Sequence, residues 1–224
     1  MTNAPPSHDA ASEGGITGTL KEVYRKFLQG IEDMLPAQVV SYDRATNTAE
    51  VRPLIRVLSS SGQLVSRQVV PGVRVFQFGG GGFFMGFNLR PGDLGWIKAA
   101  DRDISLFLQQ FSEAGPNTKR LHSFSDSLFF PDIMRGYAIA DEDAGNLVIQ
   151  NAEGTVRVAL WEDRVKITAP TLEVDAESAT FSGTLHADGL ITSGTDVQSG
   201  AVTLKTLRVT DVQSGSGISG VPLQ

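Results

Sequence analysis

Fifteen of the seventeen aromatic residues fall within the first 137 positions, leaving Trp161 and Phe181 to the last 87. A segment of that length with two large rings has little with which to fill a core of its own. Charge divides at the same place: 14 basic and 13 acidic residues precede the cut after Tyr137, and 5 and 12 follow it. Two segments with different physics therefore share one chain of 224 residues, which is enough for one or two domains.

Absences narrow the chemistry. There is no cysteine, so disulfides, thiolate zinc sites and cysteine nucleophiles are excluded. The three histidines, His8, His122 and His186, lie far apart, so no local His-rich metal motif exists. No apolar run approaches the roughly 18–20 residues of a membrane-spanning helix. The N-terminal MTNAPPSHDAASEGG has neither a basic start nor an apolar run, so it does not read as a signal peptide, and synthesis in the cytoplasm is expected. A net charge of -6 argues against nucleic acid as a partner, which would require clustered Lys and Arg.

Residues 1–19, rich in Pro, Ser, Gly and Ala, read as a flexible or partner-ordered arm. From Leu20, the positions Val23, Tyr24, Phe27, Leu28, Ile31, Met34 and Leu35 recur at three-and-four spacing, which predicts an amphipathic helix over 20–36 stopped by Pro36. Its apolar stripe either packs on its own domain or docks on a neighbouring subunit or platform. Strands are then predicted at Ala37–Tyr42, Thr48–Leu58, Gln63–Val70, Val73–Phe78, Phe83–Asn88 and Leu94–Ala100, separated by polar, Pro-Gly and Pro-Gly-Asp turns. About five strands in roughly 100 residues predict an OB-type barrel over 37–137.

Residues 138–224 read as short β runs rich in Thr, Val, Ser and Gly: Asn146–Gln150, Thr155–Leu160, Arg164–Thr168, Thr171–Val174, Ala179–Thr184, Leu190–Thr192 and Val202–Val209. Strands of about three to six residues with a narrow apolar stripe cannot bury enough surface alone. Three copies wound about a common axis can, as an intertwined trimeric β-helix. The near-duplicates Thr195–Gly200 and Thr210–Gly215 fit a winding stem.

Catalytic motifs are weak. Gly79–Gly82 lacks the Lys-Ser or Lys-Thr of a phosphate loop and reads as a hairpin tip. Asp101 and Asp103 read as surface ion-pair partners flanking Arg102, and His122 with Ser123, Ser125 and Asp126 as a polar loop on the barrel, since triad members normally come from separate elements.

At Pro91-Gly92-Asp93-Leu94-Gly95-Trp96, at Ala100-Asp101-Arg102-Asp103-Ile104 and from Arg120-Leu121-His122-Ser123-Phe124-Ser125-Asp126 to Phe130-Pro131-Asp132, the sequence resembles the central spike proteins of contractile bacteriophage tails, the membrane-puncturing or baseplate-assembly-V-like proteins. The resemblance runs from about residue 20 to the C-terminus. It implies an OB domain under the tail tube or hub and a homotrimeric β-helix below it. It further implies a virion baseplate location, assembly in the host cytoplasm, and a passive, non-enzymatic spike driven through the outer membrane on contraction. Many such spikes carry an apical His-x-His pair in which three chains surround an iron ion. This chain has no His-x-His, and the matching positions are Leu207 and Val209 with Arg208 between them. Neither side chain ligates a metal, so no cofactor is expected, and rings of Leu207 and Val209 would form an axial apolar plug. Each buried leucine there contributes about 1.5–3 kcal/mol. A separate tip protein on the blunt end is the other option.

The competing class is a tail fibre module that binds, or cleaves, a receptor or surface polysaccharide. It would need grooves, acids and aromatic platforms, for which the last 87 residues offer Trp161 and Phe181.

Overall fold

The computed structural model describes residues 15–59, 62–199, 202 and 203. The chain forms two compact units, Met1–Pro170 and Thr171–Gln224. Much of the expected arm, and the greater part of the chain after Ser199, lie outside the described residues.

Helix α1 spans Ile16–Gln29, with Lys26 in its last turn and Glu22 paired to Arg25 one turn on at 2.7 Å. It ends at Gly30, whose N–H donates to the Phe27 carbonyl at 3.1 Å. The helix therefore starts and stops earlier than the predicted 20–36, and Pro36 is not its terminator. Met34 and Leu35 continue the helical spacing, yet they and Pro36 stand opposite Lys98, Ile97 and Trp96 in a strand pair. Tertiary pairing overrides the local periodicity there.

The strands of the first part are β1 (Met34–Asp43), β2 (Thr48–Pro53), β3 (Val57–Leu58), β4 (Leu64–Val65), β5 (Val70–Val75), β6 (Phe78–Gly80), β7 (Phe83–Met85), β8 (Leu94–Ala100) and β9 (Ser123–Pro131), with a short helix α2 (Ser105–Gln110) before β9. Five of them close a barrel in the order β1-β2-β5-β9-β8. All its pairs are antiparallel except β5 with β9, where Arg74 faces Leu128 and Val75 faces Phe129. A five-stranded Greek-key barrel of this order is of the OB type, as predicted. The long runs Thr48–Leu58 and Gln63–Val70 are shorter than predicted. Pro53 ends β2 and lacks an N–H for the ladder, Val70 opens β5, and what remains of the two runs outside the barrel is the two-residue β3–β4 pair.

Alternation puts Ala37, Val39, Ala49, Val51, Val73, Val75, Ile97, Ala99, Phe124 and Phe129 inside, with Phe129 and Ile97 fully enclosed. The Pro91-Gly92-Asp93 turn is tied to β1: Gly92 N–H donates to the Val39 carbonyl at 2.9 Å, and Val39 N–H donates to the Asp93 carbonyl at 2.8 Å. Gly92 has φ +100°, which a side chain would strain. Gly95 is buried where β8 meets β9. A Cβ there would meet the Phe130 carbonyl oxygen and lie 2.5 Å from the Phe129 ring. Pro-Gly-Asp-Leu-Gly-Trp is thus a folding signature of this barrel.

After β9 a 3-10 turn (Asp141–Asp143) leads into a separate antiparallel sheet, β10 (Leu147–Gln150), β11 (Arg157–Leu160) and β12 (Val165–Thr168), close to the three predicted strands. In the second unit, β13 (Gln198–Ser199) and β14 (Val202–Thr203) form a two-stranded pair. Thr171–Val174, Ala179–Thr184 and Leu190–Thr192, predicted as strands, form no strand pair among the described residues. No helix among the described residues is long and apolar enough to cross a membrane.

Candidate functional site

The polar residues singled out from the sequence are structural. Asp103 is buried, which corrects the expectation of a surface ion pair: Thr118 Oγ1 donates to its Oδ2 at 2.6 Å, Ser105 N–H to its Oδ1 at 2.9 Å, and an Arg120 nitrogen lies 3.2 Å away. Arg120 also grips Asp126 in a fork, Nε at 2.9 Å and a terminal nitrogen at 3.1 Å. The stretch around Ser123 and Asp126 is strand β9, not a polar loop. Its alternation is broken by the two consecutive buried residues Asp126 and Ser127, and Ser127 Oγ donates to the Phe124 carbonyl. No triad forms: His122 Nδ1 is turned to the exposed Asp101 at 3.8 Å, while Arg120 occupies both oxygens of Asp126. Gly81 and Gly82, with φ +60° and +86°, make the two-residue turn between β6 and β7, as the hairpin reading expects.

Contacts from Ser105 and Thr118, then the Ser105 N–H and the Arg120 charge, hold the Asp103 carboxyl far below the usual carboxylate range against the opposing effect of burial. Asp132 is lowered too, by the Met134 N–H and the Trp96 indole. Depressed folded-state values mean that the stabilisation is fully present above the unfolded-state value of about 4 and is lost as pH falls through the lower folded-state values. Thermal midpoints should be level from neutrality to about pH 5 and fall below about pH 4. In Asp103→Asn the midpoint at neutral pH should be lower and the acid decline shallower. An unchanged acid decline in that variant would remove Asp103 as its source.

The most unusual surface lies on the β10–β11–β12 sheet. Cross-strand register sets Leu147 opposite Leu160 and Leu160 opposite Val165, and places Ile149, Val158 and Ile167 in a second row. These six apolar side chains share one face, and all except Val158 are exposed. The other face carries Val148, Gln150, Arg157, Ala159, Lys166 and Thr168. Against that second face sits the acidic 3-10 turn. Arg157 Nε donates to the fully buried Asp143 at 2.7 Å and its terminal nitrogen to Glu142 at 2.6 Å, while the Trp161 indole donates to Asp143 at 3.1 Å. Lys166 Nζ donates to Glu142 at 2.8 Å, and it is foremost in holding the Glu142 carboxyl below its ordinary value, with Arg157 adding to it. The sheet is thus pinned by a polar network on one side and left bare and apolar on the other, the reverse of a solvated antiparallel sheet.

This network escaped the sequence reading. Its members come from three separate stretches, and no local spacing links Asp143 to Arg157 and Trp161. Trp161, read as a candidate stacking platform, is occupied: besides its bond to Asp143, the Arg164 guanidinium lies 4.1 Å over its ring. Considered by itself, the second unit exposes Leu172, Val174, Phe181, Leu185, Leu190 and Ile191. Leu207, Val209 and the second copy of the Thr-Asp-Val-Gln-Ser-Gly repeat lie outside the described residues. No cluster of three or more His, Asp or Glu side chains that could hold a metal occurs among the described residues.

Residues 35–132, which span the barrel, match the family model of the phage protein Gp138 N-terminal domain. No curated protein matches the chain. The barrel is thus similar to the N-terminal domain of a phage protein.

Proposed function

We propose that this chain is the central spike of a contractile phage-like tail: a homotrimer whose barrel attaches under the tube or hub and whose C-terminal part, from about residue 138, is an intertwined β-helical stalk driven through the host outer membrane by sheath contraction. The observation that carries the reading is the bare face of Leu147, Ile149, Val158, Leu160, Val165 and Ile167, followed in sequence by a segment rich in exposed apolar residues and poor in strand pairs. Three copies offer one another the same surface and the missing ladder partners. The phage-family barrel preceding it supplies the context.

The role is mechanical and non-enzymatic. Force comes from the sheath, and the stalk has only to be stiff and narrow. Leu207 and Val209 fill the axis near the tip in place of a metal, since neither carries a donor atom for iron. The internal engagement of Trp161 favours the spike over a polysaccharide-binding fibre, which would need that ring free.

The absolute mass of the purified chain by light scattering tests the assembly. A value near 72 kDa, three times the 23.9 kDa chain, is expected. A single species near 24 kDa would abolish the spike reading.

A further inference from the structure

The barrel closes through the shortest of its seams. β5 and β9 run parallel, and their register joins only Arg74 to Leu128 and Val75 to Phe129. Continued backwards, the same register would set Val70 against Phe124 and Val73 against Ser127, but no pairs form there. The cause lies in β5. Pro71 has no N–H, Gly72 has φ +65°, and the register with β2 shifts at the same point, a bulge of the kind that bends a strand and ends its pairing. The unpaired stretch borders a groove of about 430 Å³, with residues 68–71 on one side and 123–125 on the other.

The Glu32 carboxylate enters this groove from the segment that joins α1 to β1. Its Oε2 accepts the Phe124 N–H at 2.9 Å, and its Oε1 accepts an Arg67 Nη at 2.7 Å. Arg67 is itself anchored: its Nε donates to the Ile55 carbonyl at 3.1 Å, and its guanidinium lies 5.8 Å from the centre of the Phe124 ring. The Glu32 N–H donates to the His122 carbonyl at 3.1 Å. One side chain thus spans both banks and gives β9 the acceptor that β5 withholds.

We propose that residues 30–33 form a releasable latch over the seam between β5 and β9, fastened by Glu32 and Arg67, and that the barrel opens at this latch while its other seams stay shut. Charge assistance makes the clasp strong for a single contact. It is still one contact, with 29% of the Glu32 side chain and 24% of the Arg67 side chain open to water. Such a contact opens locally at a lower free energy than a continuous strand ladder. The latch sits three residues after α1 ends at Gln29, between that helix and the barrel. The inference concerns the single barrel and is independent of how many chains assemble.

Hydrogen–deuterium exchange of the full chain, read by mass spectrometry, tests it with Glu32→Ala and Glu32→Gln. In Glu32→Ala an amide within residues 123–127 should exchange faster by about ten-fold or more, while the Leu94–Ala100 strand keeps its wild-type rate. Glu32→Gln retains an acceptor for the Phe124 N–H but not the charge that Arg67 holds, so it should fall between the two. Unchanged exchange at 123–127 in Glu32→Ala overturns the latch. Equal acceleration of both segments overturns it too, because Glu32 would then support the barrel as a whole. Wild-type exchange in Glu32→Gln also overturns it, since the pair with Arg67 would fasten nothing.

Discussion

Gly95→Ala is expected to be the most damaging single methyl group that can be added to the barrel. The new Cβ would run into the Phe130 carbonyl oxygen and sit 2.5 Å and 2.9 Å from two atoms of the Phe129 ring. Phe129 is fully enclosed and cannot swing away, and the carbonyl belongs to the strand β8 must pair with. Overpacking against a side chain alone costs about 1–3 kcal/mol; with a backbone oxygen also in the way, the cost should reach roughly 3 kcal/mol or more. For a domain of about a hundred residues that lowers the thermal midpoint by on the order of 10–20 °C. Near-ultraviolet circular dichroism of the heated protein reads it, because Trp96 adjoins the site and its indole is anchored to Asp132 at 2.9 Å. Gly115→Ala, placed where a Cβ meets nothing within 4 Å, should shift the midpoint little. Equal midpoints for the two variants would mean that β8 and β9 do not approach as described.

In the trimer proposed above, Ile149→Asp should convert the assembly from about three chains to one. Ile149 stands on the edge strand β10 of the bare sheet face, opposite Val158 on the central strand, which is opposite Ile167. In a trimer closed over that face, three carboxylates would be carried into an apolar interior with no cation opposite. Each unpaired buried charge costs several kcal/mol, so together they exceed what a modest interface supplies. In a monomer the same substitution merely exchanges one exposed side chain for another. Light scattering distinguishes the outcomes: loss of the trimeric mass in Ile149→Asp, with retention in Ile149→Val, is expected. A trimer that tolerates the aspartate would show that this face is not its interior.

Strand β8 could be read from the sequence to the residue because Gly95, Ile97 and Ala99 alternate cleanly with Trp96 and Lys98 between two turns. The same period-2 logic failed for β9. There the inward positions include Asp126 and Ser127 in succession, so polarity suggested a loop where the barrel in fact closes. Those polar residues are affordable inside only because Arg120 and the Phe124 carbonyl meet them, and neither partner is marked by local spacing. Helix α1 was legible in kind but not in extent, since Met34 and Leu35 satisfy both periods and the pairing with β8 decides. The apolar rows of β10 to β12 were visible as Val156/Val158/Leu160 and Val165/Ile167. That they form a single uncovered face needed the cross-strand register, and that the reverse side is locked by Asp143 and Arg157 needed the fold.

The parallel contact of β5 with β9 also sets an order of events. Arg74 cannot meet Leu128 before the chain between them has been made, so a growing chain carries an unpaired β5 edge until β9 has left the ribosome. Once that seam shuts, the barrel is finished on a lone polypeptide, before the segment proposed to wind with other chains has been synthesised in full. Barrel closure is therefore a unimolecular step whose rate ignores protein concentration, whereas winding of the proposed stalk would be a meeting of chains and would slow on dilution. In refolding from denaturant the two steps should separate in time, giving closed barrels with unassembled C-terminal segments as the species from which the proposed trimer would be built.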